Sequence, residues 1–300
     1  MPGSFTSVDL SQLPAPSIIE VIDFEQIVAD MLADLRARWP EFDALVESDP
    51  GYILLEVAAY REMLLRQRLN EAAKALMLAF AAGADLDQLG ANVNVARLVV
   101  TPADATAIPP VAAVYESDND FRARIQLSFE GYTTAGSSAS YKFHGVSADG
   151  AVQDVSPVSP TPGVVDVYVL SRTGDGTASA DLIAKVTAAL SAELVRPMTD
   201  NVTVQSAAII PYSVQAVLTM YPGPDASVVL SAAQVAAQQY VDDMRRIGYD
   251  ITRSGIYRAL HQPGVQNVQL IEPAADIAID DTQAAHCTTL DITTAPLTHV

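Results

Sequence analysis

The sequence predicts an α+β protein: an N-terminal helical region with a long bundle-forming helix, followed by two small β-α-β-type subdomains. Three observations predict it. Apolar residues recur at three- and four-residue steps through residues 24–35, the period of a helix with one apolar side, and from residue 52 a longer helical run follows whose apolar residues drift around the axis. A Pro/Ala-rich stretch, "TPADATAIPPVAA" at residues 101–113, then interrupts the pattern and reads as a linker. Beyond it, alternating segments such as "VVDVYVL" and "NVTVQ" flank an amphipathic helix, and the same plan recurs once. The boundaries that follow are an N-terminal arm and helical bundle region over 1–113, a middle α+β domain over 114–208, a C-terminal α+β domain over 209–272 and a tail arm over 273–300.

Residues 1–19 contain Pro14 and Pro16 with little periodicity, the pattern of an extended arm. Asp23 with Gln26 forms a capping box, and Phe24, Ile27, Val28, Met31, Leu32 and Leu35 follow on one side of a helix that ends before Pro40. Asp49-Pro50 opens the long helix and Gly83 closes it. Unbroken from Tyr52 to Ala82, it would be about 46 Å long at 1.5 Å per residue. Its own chain offers only the short preceding helix as cover. The apolar face Val57, Leu64, Leu65, Leu69 and Leu76 is therefore expected to meet another chain. "ADLDQLGANVNVARL" reads as a short helix and turn folding back on the long one.

After the linker, "DNDFRARIQLSF" and "GSSASYKFHGV" are short helices. Val165, Val167 and Val169 alternate with Asp166 and Tyr168 in a strand, and Leu182, Ile183, Val186, Leu190 and Leu194 mark a helix before "NVTVQ". In the recurrence, "YSVQAVLTM" is a strand, residues 230–246 and "SGIYRALHQ" are helices, and "VQNVQLI" is a strand. The tail is acidic, then Thr-rich, an arm with one short strand at "TTLDIT".

Composition excludes several classes. Half the residues are hydrophobic, enough for a sizeable core. No apolar run is long enough for a membrane span, and "MPGSFTSVDL" lacks the basic and apolar regions of a secretory signal. The lone Cys287 rules out an internal disulfide framework. A formal charge of −19 argues against nucleic acid as partner. Residues 1–50 carry ten acidic and two basic side chains, a net −8, which reads first as solubility and second as steering towards a basic partner.

No chemistry is assembled by the motifs, and no catalytic, cofactor or metal residue is assigned. The four His are not at metal-ligand spacing, and His286-Cys287 has no second pair. "RTGDGT" (172–177) lies between strand and helix but lacks both the Walker Lys and the third glycine of a dinucleotide loop, so it is a turn. "YKFHG" (141–145), with nearby serines, has no nucleophile elbow and reads as a capped helix with Tyr141 in the core. That leaves the polar cluster in "LVRPMTDNVTV" (194–204). Arg196 suits the last turn of a helix, Pro197 stops that helix, and Thr199, Asp200 and Asn201 form a turn. With Arg196 bracing Asp200, the four residues Arg196, Pro197, Thr199 and Asp200 are a structural joint.

"RPMTDNVTV" also resembles a signature of the baseplate assembly protein J family of contractile-tailed phages and phage-tail-like bacteriocins (tailocins). "DPGYILLEVAAYREMLLRQRLNEAAKALMLAFAAGADLDQLGANVNVAR", "DNDFRARIQ" with "TTAGSSASY", and "SGIYRALHQPGVQNVQL" resemble further blocks of that family in the same order, covering most of residues 45–271. The resemblance implies a structural wedge subunit of a contractile injection machine, with no enzymatic activity and no cofactor. The implied partners are a second copy of itself, a different baseplate wedge protein joined through N-terminal helices, and neighbouring wedges linked in a ring around the central hub. Contacts would extend to sheath-initiating and hub proteins, and the ring would rearrange on sheath contraction. Assembly in the host bacterial cytoplasm and residence in the tail baseplate of the released particle are implied too. Two other classes stand beside it: an enzyme with an unrecognised site, and an adaptor binding partners by strand-edge addition.

Overall fold

The computed structural model describes residues 8, 10, 13, 14, 16–42, 49–133, 135–222 and 225–295. Of the arm expected over 1–19, residues 1–7, 9, 11, 12 and 15 fall outside the described set, as does the end of the tail at 296–300. The fold is α+β: N-terminal helices, then subdomains built on small sheets. The chain divides into two compact units, one of residues 6–96 with 118–123 and the other of the remainder.

The first unit holds helices α1 (Phe24–Arg38), α2 (Pro50–Ala75) and α3 (Gly83–Asn92). Asp23 caps α1 by accepting from the backbone N–H groups of Glu25 and Gln26. The reciprocal half of the expected capping box is missing, because the Gln26 amide reaches forward to Asp30 at 2.8 Å. Asp49 caps α2 with Pro50 at its first position, as the Asp-Pro pair predicts. Ile27 and Val28 of α1 bury against Ala59, with Tyr52 and Met63 beside them. The segment before α1 continues along α2, where the Asn70 side chain takes both backbone groups of Glu20, at 3.1 and 2.9 Å.

The long helix is shorter than the periodicity predicts. It ends at Ala75, so it is 26 residues and roughly 39 Å long. Residues 76–80 form a looser turn, and Gly83, with φ of +53°, begins α3 instead of closing α2. The cause is tertiary. The Arg122 guanidinium donates to the Leu78 and Ala81 carbonyls, both at 2.7 Å, and so satisfies acceptors that a continuing helix would have bonded internally. Gly90 of α3 faces Phe121 so closely that a Cβ would lie 2.4 Å from the ring.

In the second unit the expected linker is a hairpin. Strand β1 (Val99–Thr101) pairs with β2 (Val114–Tyr115), and Asp104 bridges to Val111. Glu116 and Arg124 form a buried ion pair beneath it, and Glu116 also accepts from the Leu98 N–H at 2.9 Å. Helix α4 (Asp118–Leu127) leads into a short 3-10 turn at Ser128–Tyr132 and helix α5 (Ser138–Val146), capped by Ser137.

Strands β3 (Val152–Val158), β4 (Val164–Ser171) and β5 (Asn201–Ser206) form one sheet in that order, with helix α6 (Ala180–Leu190) as the crossover between the parallel pair β4 and β5. This is the expected β-α-β unit, with β3 added. Ser156 and Pro157 hide β3 from a reading by alternation. Val155, Val167, Val169, Leu182, Val186 and Tyr141 make its core. The "RTGDGT" stretch is a turn, with Gly174 and Gly176 both at positive φ.

The last subdomain contains β6 (Ala208–Met220), α7 (Ala226–Met244), α8 (Arg253–Leu260), β7 (Val265–Glu272) and β8 (Gln283–Thr294), with sheet order β7-β6-β8. Two helices intervene between β6 and β7, and the two strands pair antiparallel. Tyr212, Val214, Ala216, Leu218 and Met220 point every second residue into the core from β6. The tail is not an arm. Residues 283–294 pair in parallel with β6 from Ala208 to Leu218 and bury Ala284, Ala285 and Ile292. The short strand expected at "TTLDIT" is the C-terminal half of β8, and the rest is hidden in the sequence because β8 is an edge strand whose outward positions are polar.

The two sheets are coupled. Only Ala207 separates β5 from β6, and Leu170, Ala207, Ile247 and Ala284 form a small core there. A bulge in β3 turns Gln153 and Asp154 towards the last subdomain. Buried Asp154 accepts from the Ile247 N–H at 3.1 Å, from the Val155 N–H at 2.9 Å and from Lys142 Nζ at 2.9 Å, while Gln153 donates to the Arg245 carbonyl. Removing the carboxylate strands a buried N–H and an amine. Asp154→Ala is expected to cost roughly 3 kcal/mol in urea denaturation of the full chain. Truncation before Gln283 is expected to abolish the cooperative unfolding of the last subdomain, measured by near-UV circular dichroism, since it removes a parallel strand and its buried side chains.

Candidate functional site

Two features were singled out by the sequence: the joint and the α2 face. Helix α6 ends at Leu190, earlier than the pattern through Leu194 predicts, and Ser191 caps it. Residues 192–196 form a turn in which the Val195 and Arg196 N–H groups donate to the Ala192 carbonyl. Arg196 therefore lies outside the helix and has no role at its dipole.

Asp200 does not pair with Arg196 either. Its Oδ2 accepts from the Tyr141 hydroxyl at 2.8 Å, and the Thr199 hydroxyl approaches Oδ1 at 3.4 Å. Burial, and then the Asp200 carboxylate, push the Tyr141 phenol well above its ordinary range, so it stays a proton donor. Pro197 packs on Gly136, where a Cβ would lie 2.7 Å from Pro197 Cγ and 2.9 Å from Asp200 Oδ2; φ is +70° there. Thus "RPMTD" and "TTAGSSASY", distant in sequence, lock together. Tyr141 was placed in the core by sequence, but its partner was invisible because no local spacing links residues 59 apart. Leu194 and Met198 are left 90% and 97% exposed.

On α2, Val57, Leu64, Leu65, Leu69 and the capping residue Leu76 are 37–78% exposed, whereas Ala59 on the opposite side is fully buried under α1. Ile53 and Leu54 extend the exposed apolar side towards the start of the helix.

The remaining polar candidates are locally satisfied. His144 Nε2 bonds the Gly131 carbonyl at 3.2 Å, and burial lowers its proton affinity. Cys287 is half-buried in β8, where burial raises its thiol above the ordinary range, the opposite of an activated nucleophile. Among the described residues no group of His, Cys, Asp or Glu has the arrangement of a metal site, and no helix is long and apolar enough to cross a membrane.

Comparison with known proteins gives three consecutive matches: the Baseplate J-like N-terminal domain over residues 47–104, the Baseplate J-like central domain over 133–206, and the Baseplate J-like protein C-terminal domain over 212–293. The chain belongs to the baseplate J family. It is 50% identical over 294 residues to Baseplate protein J of Escherichia phage P2, covering 96% of this chain and 97% of that one. Among solved structures it is similar to a chain of the cryo-EM structure of the anti-feeding prophage baseplate, six-fold symmetrised, at 16% identity and a TM-score of 0.39, over 61% of this chain and 43% of that one.

Asp200→Ala leaves the buried Tyr141 hydroxyl without its acceptor and is expected to lower stability by about 2 kcal/mol. Asp200→Asn keeps an acceptor oxygen and should recover most of the loss. Thermal melts of the two variants check this, and equal destabilisation by both would mean that the charge, not the hydrogen bond, matters.

Proposed function

We propose that this chain is a baseplate wedge subunit of a contractile injection machine, acting as scaffold and not as enzyme. The baseplate role follows from its family. The wedge arrangement is supported chiefly by one observation, the apolar side of α2 left uncovered by its own chain. Burying a Val or Leu side chain is worth roughly 1.5–3 kcal/mol, so five such residues represent on the order of 10 kcal/mol available to an interface. In this reading α2 enters a bundle with a second copy of the chain and a different wedge protein. The two sheet-containing subdomains join neighbouring wedges into a ring around the hub, reaching sheath-initiating and hub proteins.

Of the joint residues, Pro197, Thr199 and Asp200 are structural in this account, and Arg196 braces nothing in the described chain. The bond from Tyr141 to Asp200 and the packing of Pro197 on Gly136 hold β5 in place, and β5 passes almost directly into β6. Asp154 then keeps the two subdomains together as one body able to transmit a movement. The protein would assemble in the bacterial host cytoplasm and act in the tail baseplate.

Leu64→Asp with Leu69→Asp tests the reading. Both side chains are exposed in the free chain, so the double variant is expected to fold with an unchanged melting temperature, within about 1 kcal/mol. Particle assembly, scored by electron microscopy of complemented lysates, is expected to fail because burying unpaired carboxylates is costly. Normal particles from the double variant would remove α2 from the interface.

A further inference from the structure

The uncovered side of α2 is not uniformly apolar. At 3.6 residues per turn, Ile53, Val57 and Leu64 lie along one margin and Leu54, Leu65 and Leu69 along the other. Between the margins stand Arg61 and Arg68, seven residues and so roughly 10.5 Å apart along the axis. Both are exposed, and among the described residues neither makes an ion pair or hydrogen bond. The neighbouring charges are differently placed. Arg66, further round the helix, is held by Glu62 and Glu20, and Glu71 accepts from Gln67 at 3.1 Å.

We infer that the element covering α2 is a helix of a different chain whose apolar face carries two carboxylates seven residues apart, set against Arg61 and Arg68. The inference rests on α2 being an intermolecular element and adds the chemistry of what it meets. Covering this side with apolar surface alone would bury two guanidinium groups unpaired, a penalty that opposes the gain from the leucines. A second copy laid on the same stripe by a two-fold axis brings Arg61 towards Arg68 of its partner, like charge against like. Two carboxylates at heptad spacing on the facing helix satisfy both cations with short charge-assisted bonds. They also fix register, because a shift of one turn leaves a cation opposite a leucine.

The test uses the full-length chain and three synthetic helices of about 28 residues, four heptads, with identical apolar seams. They carry Glu, Gln or Lys at two facing positions seven apart, and binding is read by fluorescence anisotropy at low and raised salt. The Glu helix is expected to bind at least about tenfold more tightly than the Lys helix, with the preference shrinking as salt rises. The doubly reversed variant Arg61→Glu/Arg68→Glu, with unchanged circular dichroism, is expected to invert the order. Equal affinity for all three helices, abolished by Leu64→Asp/Leu69→Asp, would overturn the charge pairing and leave the intermolecular reading intact. Binding of the Glu helix that survives Leu64→Asp/Leu69→Asp would place it elsewhere and overturn the inference. A dimer in sedimentation that is broken by the leucine changes and indifferent to the arginine reversals would seat a second copy on the face and overturn it equally.

Discussion

A mismatch in cover governs the N-terminal unit. Helix α2 has 26 residues and apolar side chains around much of its circumference, while α1 has 15 and reaches only the side marked by Tyr52, Ala59 and Met63. A helix earns its stability in water from burying an apolar face, not from propensity alone. Here part of that apolar surface is left uncovered by the described chain, and the proposed wedge would cover it with another molecule. The unit is consistent with that: its contacts fix α2 at one side, through Asn70 and Glu20 as well as Ile27 and Val28, and leave the other side accessible.

The sheet-containing unit is built on the opposite principle. Several of its buried polar groups are partnered between elements: Glu116 with Arg124, Asp154 with Lys142 and the Ile247 N–H, Tyr141 with Asp200. Each is stabilising only in one geometry, because the alternative is a buried group without a partner. The single residue between β5 and β6, together with the Asp154 bridge, joins the middle and last subdomains closely. In the proposed wedge such coupling would carry a displacement at one subdomain to the other without its being absorbed in a linker.

How much of this was legible in the sequence depended on the range of the interaction concerned. Asp23 and Asp49 as caps, the glycine turn at 174–176 and the alternation in β4 are short-range effects, and the structure shows them where the sequence does. The end of α2 was misplaced because Arg122, 44 residues beyond Leu78, captures its carbonyls. The hairpin in the linker, and the half of β8 that precedes the expected strand at "TTLDIT", escape a reading by alternation for one reason. Edge strands rich in Thr, Ala and Pro have little alternation, and only pairing with β6 reveals β8 as part of a core. At the joint, the residue types predicted a turn correctly, but the brace assigned to Arg196 belongs to Tyr141. The exposed leucines of α2 were readable as a surplus of apolar positions, and Arg61 and Arg68 as charges among them. Only the structure shows that neither is paired within the described chain.

The central claim is that the uncovered side of α2 is buried on assembly. Hydroxyl-radical footprinting of the isolated chain and of the assembled particle, read by mass spectrometry over the peptides spanning residues 53–76, measures it directly. The account predicts strong labelling of Leu54, Leu65 and Leu69 in the isolated chain and loss of most of that labelling in the particle. Equal labelling of these side chains in both states would contradict it.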